Sequence, residues 1–250
     1  MSRELVVRGF STGRIRPKRS ERGLRRWLPG GWSRSTLPVN VFVVDHPDGL
    51  VLFDAGLRAR PGSAEYLPGH HPFLRLARFE VAPDEEAPAQ LERLGVSPED
   101  VRLIVLSHLH TDHVAGVACF PAAEVVVSPD EWRRAQGLGG RLRGYVPADL
   151  AGLSPRLLRF DRPAPRPFVR CDDVLGDGSL LAVATPGHTQ GHVALLVAAA
   201  GGPVLLAGDV AHTPAELDAA APELAAYSRA EGVRVLLTHD DGAPELAARR

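Results

Sequence analysis

The stretch SHLHTDH, residues 107–113, decides the fold and follows directly on the apolar run at 101–107. Its polar side chains are His108, His110, Asp112 and His113. A short apolar run predicts a buried strand, so these side chains should lie at a strand end. In a turn, positions 108 and 110 can face one metal ion while 112 and 113 reach a second ion about 3.5–4 Å away. Histidines that serve only hydrogen bonding are the alternative, but four such side chains in six residues favour metal binding.

Three further apolar runs end near a side chain that can bind a metal. They are 180–186 before His188, 203–208 before Asp209, and 233–238 before His239. Rigid strands often deliver functional side chains to one edge of a sheet. We therefore expect these three residues to meet the cluster at 107–113. Imidazole and carboxylate together suit Zn, Mn, Fe or Co.

The order of these motifs resembles that of the metallo-β-lactamase superfamily. The matching segments are His108-x-His110-x-Asp112-His113, TPGHTQGH at 185–192, Gly208-Asp209 and LTHD at 237–240. The resemblance covers roughly residues 38–242. It implies an α+β fold, a four-layer αββα sandwich with two metals at one edge of the sheets.

The same resemblance implies a division of the metal ligands. The first metal would be held by His108, His110 and His188, and the second by Asp112, His113 and His239, with Asp209 bridging both. The cofactors are then two divalent metal ions, with zinc the first choice and Mn, Fe or Co as alternatives. Asp54 resembles a residue that hydrogen-bonds a ligand histidine, and the alternative is a simple turn carboxylate. We expect His192 to be structural.

The TPGHTxGH motif and the closing THD resemble the N-acyl homoserine lactone lactonase-like branch of that superfamily. That branch usually has a tyrosine three residues after the bridging aspartate, and His212 stands there instead. Two metals that share a water lower its pKa from about 15.7 towards 7. The expected activity is therefore the opening of a lactone or related carboxylic ester by a metal-bridging hydroxide. Asp112 would carry the proton and His212 would orient the substrate.

Two other functions remain open at this point. A phosphodiesterase or thioesterase could use the same two metals, and a non-catalytic homologue could bind metals without turnover. A Ser-His-Asp hydrolase is not expected because the chain has no G-x-S-x-G motif. Retention of all seven ligand types argues against a degenerate site.

Composition and net charge limit the classes of partner that the chain is expected to bind. The chain of 250 residues has a net charge of -1, which gives no general attraction to nucleic acid or to an acidic membrane. We expect one domain over 1–250 in the cytoplasm, with a small ester or lactone as partner, no nucleic acid, no membrane, and homodimerisation as an option. Cys119 and Cys171 have no paired spacing and indicate ordinary thiols.

Two segments could border the site. Residues 1–37 form a basic segment, interpreted as a solvated loop, a lid or, less favoured, a nucleic-acid contact. Its basic and aromatic residues are Arg8, Arg14, Arg16, Lys18, Arg19, Arg22, Arg25, Arg26 and Arg34, with Trp27 and Trp32. Residues 58–86 look like a surface loop whose Tyr66, Leu67, Phe73 and Leu74, beside His70 and His71, could form a pocket wall.

The rest of the sequence pattern predicts further strands and helices. A hairpin is expected from 39–45 and 50–54, and a further strand at 124–128. Helices are expected at 88–94, 129–134 and 214–227, and 137–170 should be rich in loops.

Overall fold

The computed structural model describes residues 5–17, 32–59, 65–66 and 77–247. One sheet has eight strands in the order β4-β5-β1-β2-β3-β6-β7-β8. Their bounds are β1 Val6–Pro17, β2 Leu37–His46, β3 Gly49–Phe53, β4 Glu65–Tyr66, β5 Ala77–Glu80, β6 Val101–Val105, β7 Glu124–Val127 and β8 Arg156–Leu157. Strands β3, β6, β7 and β8 run parallel, and the remaining pairs are antiparallel.

The other sheet has five strands in the order β13-β12-β11-β10-β9. Their bounds are β9 Cys171–Asp173, β10 Leu180–Ala184, β11 Val193–Val197, β12 Val204–Leu206 and β13 Arg234–Leu236. Only β12 and β13 pair in parallel in this sheet.

Short helices connect the strands. Their bounds are α1 Ala87–Arg93, α2 Thr111–Val114, α3 Pro129–Ala135, α4 Gly137–Leu142, α5 Pro147–Leu150, α6 Pro214–Ala220, α7 Pro222–Glu231 and α8 Ala243–Ala247. Three 3₁₀ turns lie at Pro83–Glu85, Pro98–Asp100 and Ala115–Cys119. None of the helices in the described ranges is long and apolar enough to cross a membrane.

Side-chain alternation along the strands explains the layers. In β2, Phe42 packs against the five-stranded sheet, while Val43 faces the other way and packs with Leu91 of α1. In β12, Leu206 faces the eight-stranded sheet and Leu205 packs outward with Leu224 of α7. Successive strand residues point to opposite faces, so both sheets are buried on two sides. The result is helices, sheet, sheet, helices, which confirms the predicted α+β, four-layer αββα sandwich.

The parallel strands place the predicted site residues at one edge. β6 ends three residues before His108, β12 three before Asp209, and β13 three before His239. The predicted hairpin is confirmed as β2 and β3. The predicted strand at 124–128 and the helices at 88–94 and 129–134 are confirmed as β7, α1 and α3 within a few residues.

The N-terminal segment differs from the sequence prediction. A lid or loop over residues 6–17 is wrong, because these residues form β1, paired with both β2 and β5. Phe10 and Ile15 point inward, while arginines on the outer side hide the alternation. Arg8 forms an ion pair with Asp45 at 2.6 Å, and Arg16 one with Glu80 at 2.7 Å. The basic residues from Lys18 to Arg26, and Trp27, lie outside the described residues.

Other loop predictions were also incomplete. Residues 65–66 and 77–80, expected in a loop, extend the sheet as β4 and β5. Leu67, His70, His71, Phe73 and Leu74 lie outside the described residues, and so does the side chain of Tyr66. Residues 137–170 contain α4, α5 and β8, and the helix expected at 214–227 is two helices divided before Pro222. Proline lacks the N–H that a continuous helix requires.

Candidate metal centre

Three histidines form the first half of the centre, here called the histidine cluster: His108, His110 and His188. The Nε2 atom of His108 lies 3.0 Å from Nδ1 of His110, which lies 3.0 Å from Nε2 of His188. All three ligand atoms fall within 4.8 Å of one another. His108 and His110 come from the loop after β6, and His188 from the loop after β10. The fold therefore brings two loops from different sheets to one point.

Neighbouring oxygens and burial set the state of these rings. The Nε2 atom of His110 faces the carbonyl of Arg143 at 3.3 Å, and Nδ1 of His108 lies 3.0 Å from Oγ of Ser107. In neutral rings these nitrogens donate, which leaves the other nitrogen as a lone pair facing the cluster. Burial lowers the pKa of His108 and His110, and lowers that of His188 to about 4. The three rings are therefore neutral near pH 7, the form that binds a metal.

The second half, here called the carboxylate cluster, consists of Asp112, His113, Asp209 and His239. All four are buried, and their ligand atoms lie within 4.8 Å of one another. Nε2 of His113 lies 3.3 Å from Oδ2 of Asp112 and 3.3 Å from Oδ1 of Asp209. Nε2 of His239 lies 3.3 Å from the same Asp209 oxygen. Two carboxylates and two imidazoles thus converge on one buried point.

Electrostatics favour positive charge at this second point. Burial raises the pKa of Asp112, but the neighbouring His113 and His239 outweigh burial and lower it to about 2. The same two histidines hold the pKa of Asp209 well below its usual value despite burial. Conversely, burial lowers the pKa of His113 and His239, but the carboxylates outweigh it and raise both. A divalent cation would supply this charge.

Asp209 lies between the two clusters. Its Oδ2 is 3.5 Å from Nε2 of His188, while Oδ1 faces the carboxylate cluster. Gly208 before it has φ 54°, and a Cβ there would approach Nε2 of His192 to 2.7 Å. Glycine adopts this left-handed conformation without strain, so the bend that directs Asp209 into the site requires it.

His192 is structural, as the sequence indicated. Its Nε2 accepts the backbone N–H of Asp209 at 3.1 Å, and its Nδ1 contacts Oγ1 of Thr185 at 2.8 Å. Burial lowers its pKa to about 3. Both ring nitrogens are therefore engaged with the protein.

Two orphaned atoms test whether metals fit. Within the described part of the chain, Nε2 of His113 and Oδ1 of Asp209 are buried and have no hydrogen-bond partner. Leaving buried polar atoms unsatisfied costs about 1–3 kcal/mol each. They lie 3.3 Å apart, and a cation between them would satisfy both. The residues therefore fit a metal ion at this point.

Asp54 orients His113 and is more than a turn carboxylate. It accepts the backbone N–H of Ser107 at 2.7 Å, the Ser107 hydroxyl at 2.9 Å and Nδ1–H of His113 at 2.7 Å. Its backbone has φ 61°, a region uncommon outside glycine. His239 is fixed similarly, because its Nδ1–H donates to the carbonyl of Pro38 at 2.7 Å. Both rings thus direct Nε2 at the carboxylates.

His212 lies at the rim of the centre. Its ring centroid is 5.6 Å from that of His239 and 6.4 Å from that of His188. One ring nitrogen lies within 4.8 Å of ligand atoms of His188 and Asp209. Its Nδ1 is 3.5 Å from Glu216, and its side chain is half exposed. The structure therefore brings all eight sequence-predicted site residues to one place.

Sequence reasoning missed Glu131 as a site residue. This fully buried carboxylate accepts the backbone N–H of Leu109 at 3.1 Å and the hydroxyl of Thr189 at 2.7 Å. In the sequence it follows Ser128-Pro129-Asp130, which indicates only a helix start. Ser128 indeed caps α3 by accepting the backbone N–H of Glu131. The capping pattern already explains a glutamate at position 131. The sequence therefore contains no separate signal for its contacts with Leu109 and Thr189.

Comparison with known proteins places these motifs in a family. The family model described as the metallo-beta-lactamase superfamily matches residues 34–246. An N-acyl homoserine lactonase, AttM, of Azorhizobium caulinodans is 34% identical over 185 residues, which cover 71% of this chain and 66% of that protein. A probable metallo-hydrolase of Mycobacterium tuberculosis is 37% identical over 188 residues, 72% of this chain and 58% of that protein. The chain thus spans less than two thirds of the length of both relatives.

Solved structures support the fold. A mutant of AiiA from B. thuringiensis, with N-decanoyl-L-homoserine bound at its active site, superposes with a TM-score of 0.73 at 20% identity, covering 100% of this chain and 98% of that one. AidC, described as a dizinc quorum-quenching lactonase in complex with a product, gives 0.64 at 16% identity, covering 96% and 89%.

Proposed function

The chain belongs to the metallo-beta-lactamase superfamily, and on that premise we propose that it is a metal-dependent hydrolase that opens a lactone or a related carboxylic ester with two divalent ions. Zinc is the first choice, because three of the ligands on one side are imidazoles. N-acyl homoserine lactones are the leading substrates, since the AttM relatives are named for hydrolysing them.

The observation that carries the proposal is the position of Asp209 between two clusters of ligand atoms. The histidine cluster would hold one ion through His108, His110 and His188. The carboxylate cluster would hold the other through Asp112, His113 and His239, and Asp209 would contact both. The orphaned atoms of His113 and Asp209 support the second of these positions.

The bound ions would polarise the substrate carbonyl and lower the pKa of a shared water towards about 7. The remaining chemistry belongs to side chains. Asp112, held ionised by its two histidine neighbours, can accept a proton and return it to the leaving oxygen. His212 can donate a hydrogen bond to the carbonyl oxygen from the rim. The side chains of His188 and His212, 28% and 48% exposed, mark the side from which substrate enters.

Acid release from a substrate panel tests the proposal. The panel contains short and long acyl homoserine lactones, γ- and δ-lactones, aryl esters, a glutathione thioester and an aryl phosphodiester, with zinc- or manganese-loaded protein. We expect lactone opening that needs two ions per chain and is lost in Asp209→Ala with folding intact. Phosphodiester or thioester cleavage without lactone opening would keep the two-metal site and overturn the substrate class. Two bound ions with no turnover would indicate a metal-binding protein without catalysis.

A further inference from the structure

Glu131 of α3 is the one fully buried glutamate of the described residues. A buried carboxylate is costly unless it is hydrogen-bonded. Its two oxygens have separate partners: Oε1 accepts from the backbone N–H of Leu109, and Oε2 from the hydroxyl of Thr189. Burial, and then the charge of Glu131, raise the pKa of the nearby Tyr145 hydroxyl.

These partners are next to the three histidines of the histidine cluster. Leu109 lies between His108 and His110 in the sequence, and Thr189 directly follows His188. The ring of Tyr145 lies 5.3 Å from that of His110. Every member of the cluster is thus a chain neighbour of Leu109 or Thr189, the two residues that Glu131 holds.

The two loops come from opposite sheets, and the backbone of Glu131 touches the second loop as well. The loop at 107–113 follows β6 of the eight-stranded sheet, and the loop at 185–191 follows β10 of the five-stranded sheet. A Cβ on Gly191 would lie 2.1 Å from the backbone nitrogen of Glu131, so this loop packs directly against the start of α3. The carboxylate therefore links the two loops at the point where their histidines meet.

The carboxylate cluster is oriented by different groups. Asp54 fixes His113, the carbonyl of Pro38 fixes His239, and the backbone N–H of Asp209 is held by His192. Each of these contacts lies outside the hydrogen bonds that Glu131 makes. Ser107 is shared, because its hydroxyl contacts both His108 and His113, but the contacts of Glu131 can be removed by mutation without touching those that orient the carboxylate cluster.

We propose that Glu131 is a positioning residue for the histidine cluster, setting its affinity for a divalent ion while leaving the carboxylate cluster unaffected. The inference rests on the two-ion site proposed above. Groups that orient metal ligands typically change metal affinity about 10–100-fold when they are lost. In this chain, that effect should fall on one of the two ions only.

Zinc affinity, measured by competition with a chelating indicator, tests this in Glu131→Gln. An amide has one acceptor oxygen, which can serve Leu109, so Thr189 must rotate its hydroxyl to accept from the amide nitrogen and loses its hydrogen bond to a charged carboxylate. We expect the ion of the histidine cluster to bind about 10–100-fold more weakly, with the other ion unchanged. Cobalt(II) absorption assigns the ions, because His110→Ala removes the band of the histidine cluster. Glu124→Gln, which alters an exposed carboxylate paired with Arg156, is the matched control and should bind both ions normally.

Thr189 gives a milder test if Glu131→Gln does not fold. Thr189→Val removes one hydrogen bond and should weaken the same ion, while Thr189→Ser keeps the hydroxyl and should restore its affinity. A lower melting temperature of the metal-free variants with both affinities unchanged would overturn the inference, because Glu131 would then be merely structural. If the native protein binds two ions and the variants bind both with unchanged affinity, the inference about Glu131 is wrong and the proposed function stands. A native protein that binds fewer than two ions would overturn both.

Discussion

The histidine cluster and the carboxylate cluster lie side by side and share Asp209, yet they are built on different physics. The histidine cluster has three neutral imidazoles, and His188 is partly exposed to solvent. The carboxylate cluster has two ionised aspartates, and all four of its residues are buried. Burial lowers the pKa of the histidines in the first, whereas in the second the carboxylates outweigh burial and raise it.

The two clusters should therefore hold a metal ion in different ways. The carboxylate cluster attracts a cation by charge, which is strong in a buried environment. The histidine cluster has no carboxylate of its own and depends on the exact orientation of its three lone pairs. Loss of a carboxylate should therefore weaken the carboxylate cluster most, whereas the histidine cluster should depend mainly on the groups that orient its three rings.

The largest effect should come from removing one ligand in each half. His110→Ala and His113→Ala are each expected to bind one ion per chain and to lose more than about 100-fold in lactone hydrolysis, because both ions take part in the chemistry. Metal analysis after gel filtration, together with initial rates, checks this. Two ions retained in either variant would show that the two clusters are not separate sites.

Asp54→Asn tests the carboxylate cluster by weakening the support of His113 together with the contacts of Ser107. The amide fits the left-handed backbone at this position, but its single acceptor oxygen cannot serve both the backbone N–H of Ser107 and Nδ1–H of His113, which bind different oxygens of Asp54. We expect the ion of the carboxylate cluster to bind about 10–100-fold more weakly, with a smaller loss at the histidine cluster, which Asp54 reaches only through Ser107. Competition titration with zinc measures both. Asp48→Asn, in the exposed hairpin turn, is the control, and an equal loss at both clusters would contradict the separation.

A smaller effect is expected at the rim. His212→Ala should lower kcat/KM about 10–100-fold, the equivalent of one charge-assisted hydrogen bond of about 1.5–3 kcal/mol, while both ions stay bound. His212→Gln keeps a donor and should recover part of the rate. Steady-state kinetics on a homoserine lactone, with metal analysis alongside, provides the measurement. Unchanged kcat/KM in the alanine variant would remove His212 from the mechanism.

The smallest signal is the release of protons when an ion binds. The pKa of His113, held well above its usual value, and the raised pKa of His239 favour protons in the metal-free carboxylate cluster at pH 7, and a cation must displace them. Raising the pH above those values abolishes the release. The histidine cluster should release protons only in acid, because the pKa of His188 is lowered to about 4.

Calorimetric titration with zinc at pH 7, in two buffers of different ionisation enthalpy, measures that release. His110→Ala retains the carboxylate cluster and should release about one to two protons per ion. His113→Ala retains the histidine cluster and should release almost none. Equal release from the two variants would contradict the opposite charge states of the clusters.

The sequence alone determined the metal chemistry and its scaffold. Imidazoles and carboxylates at 108–113 and at three later strand ends were sufficient to predict the ligand types, and the resemblance of the motif order to the metallo-β-lactamase superfamily implied the αββα sandwich. The strand at 39–45 and its hairpin partner were predictable because apolar residues dominate both. The ligand motifs and the hairpin are local features, since each depends on a few consecutive side chains.

The tertiary structure alone decided what holds the ligands in place. β1 could not be predicted, because arginines on its outer face obscure the alternation and its ladder with β2 and β5 joins distant segments. The sequence explains Glu131 as part of a helix start. Its contacts with two loops from opposite sheets are visible only in the tertiary structure. The orientation of His113 likewise depends on Asp54, 59 residues away in the chain. Long-range packing, which no local pattern encodes, therefore decides how the metal ligands are oriented.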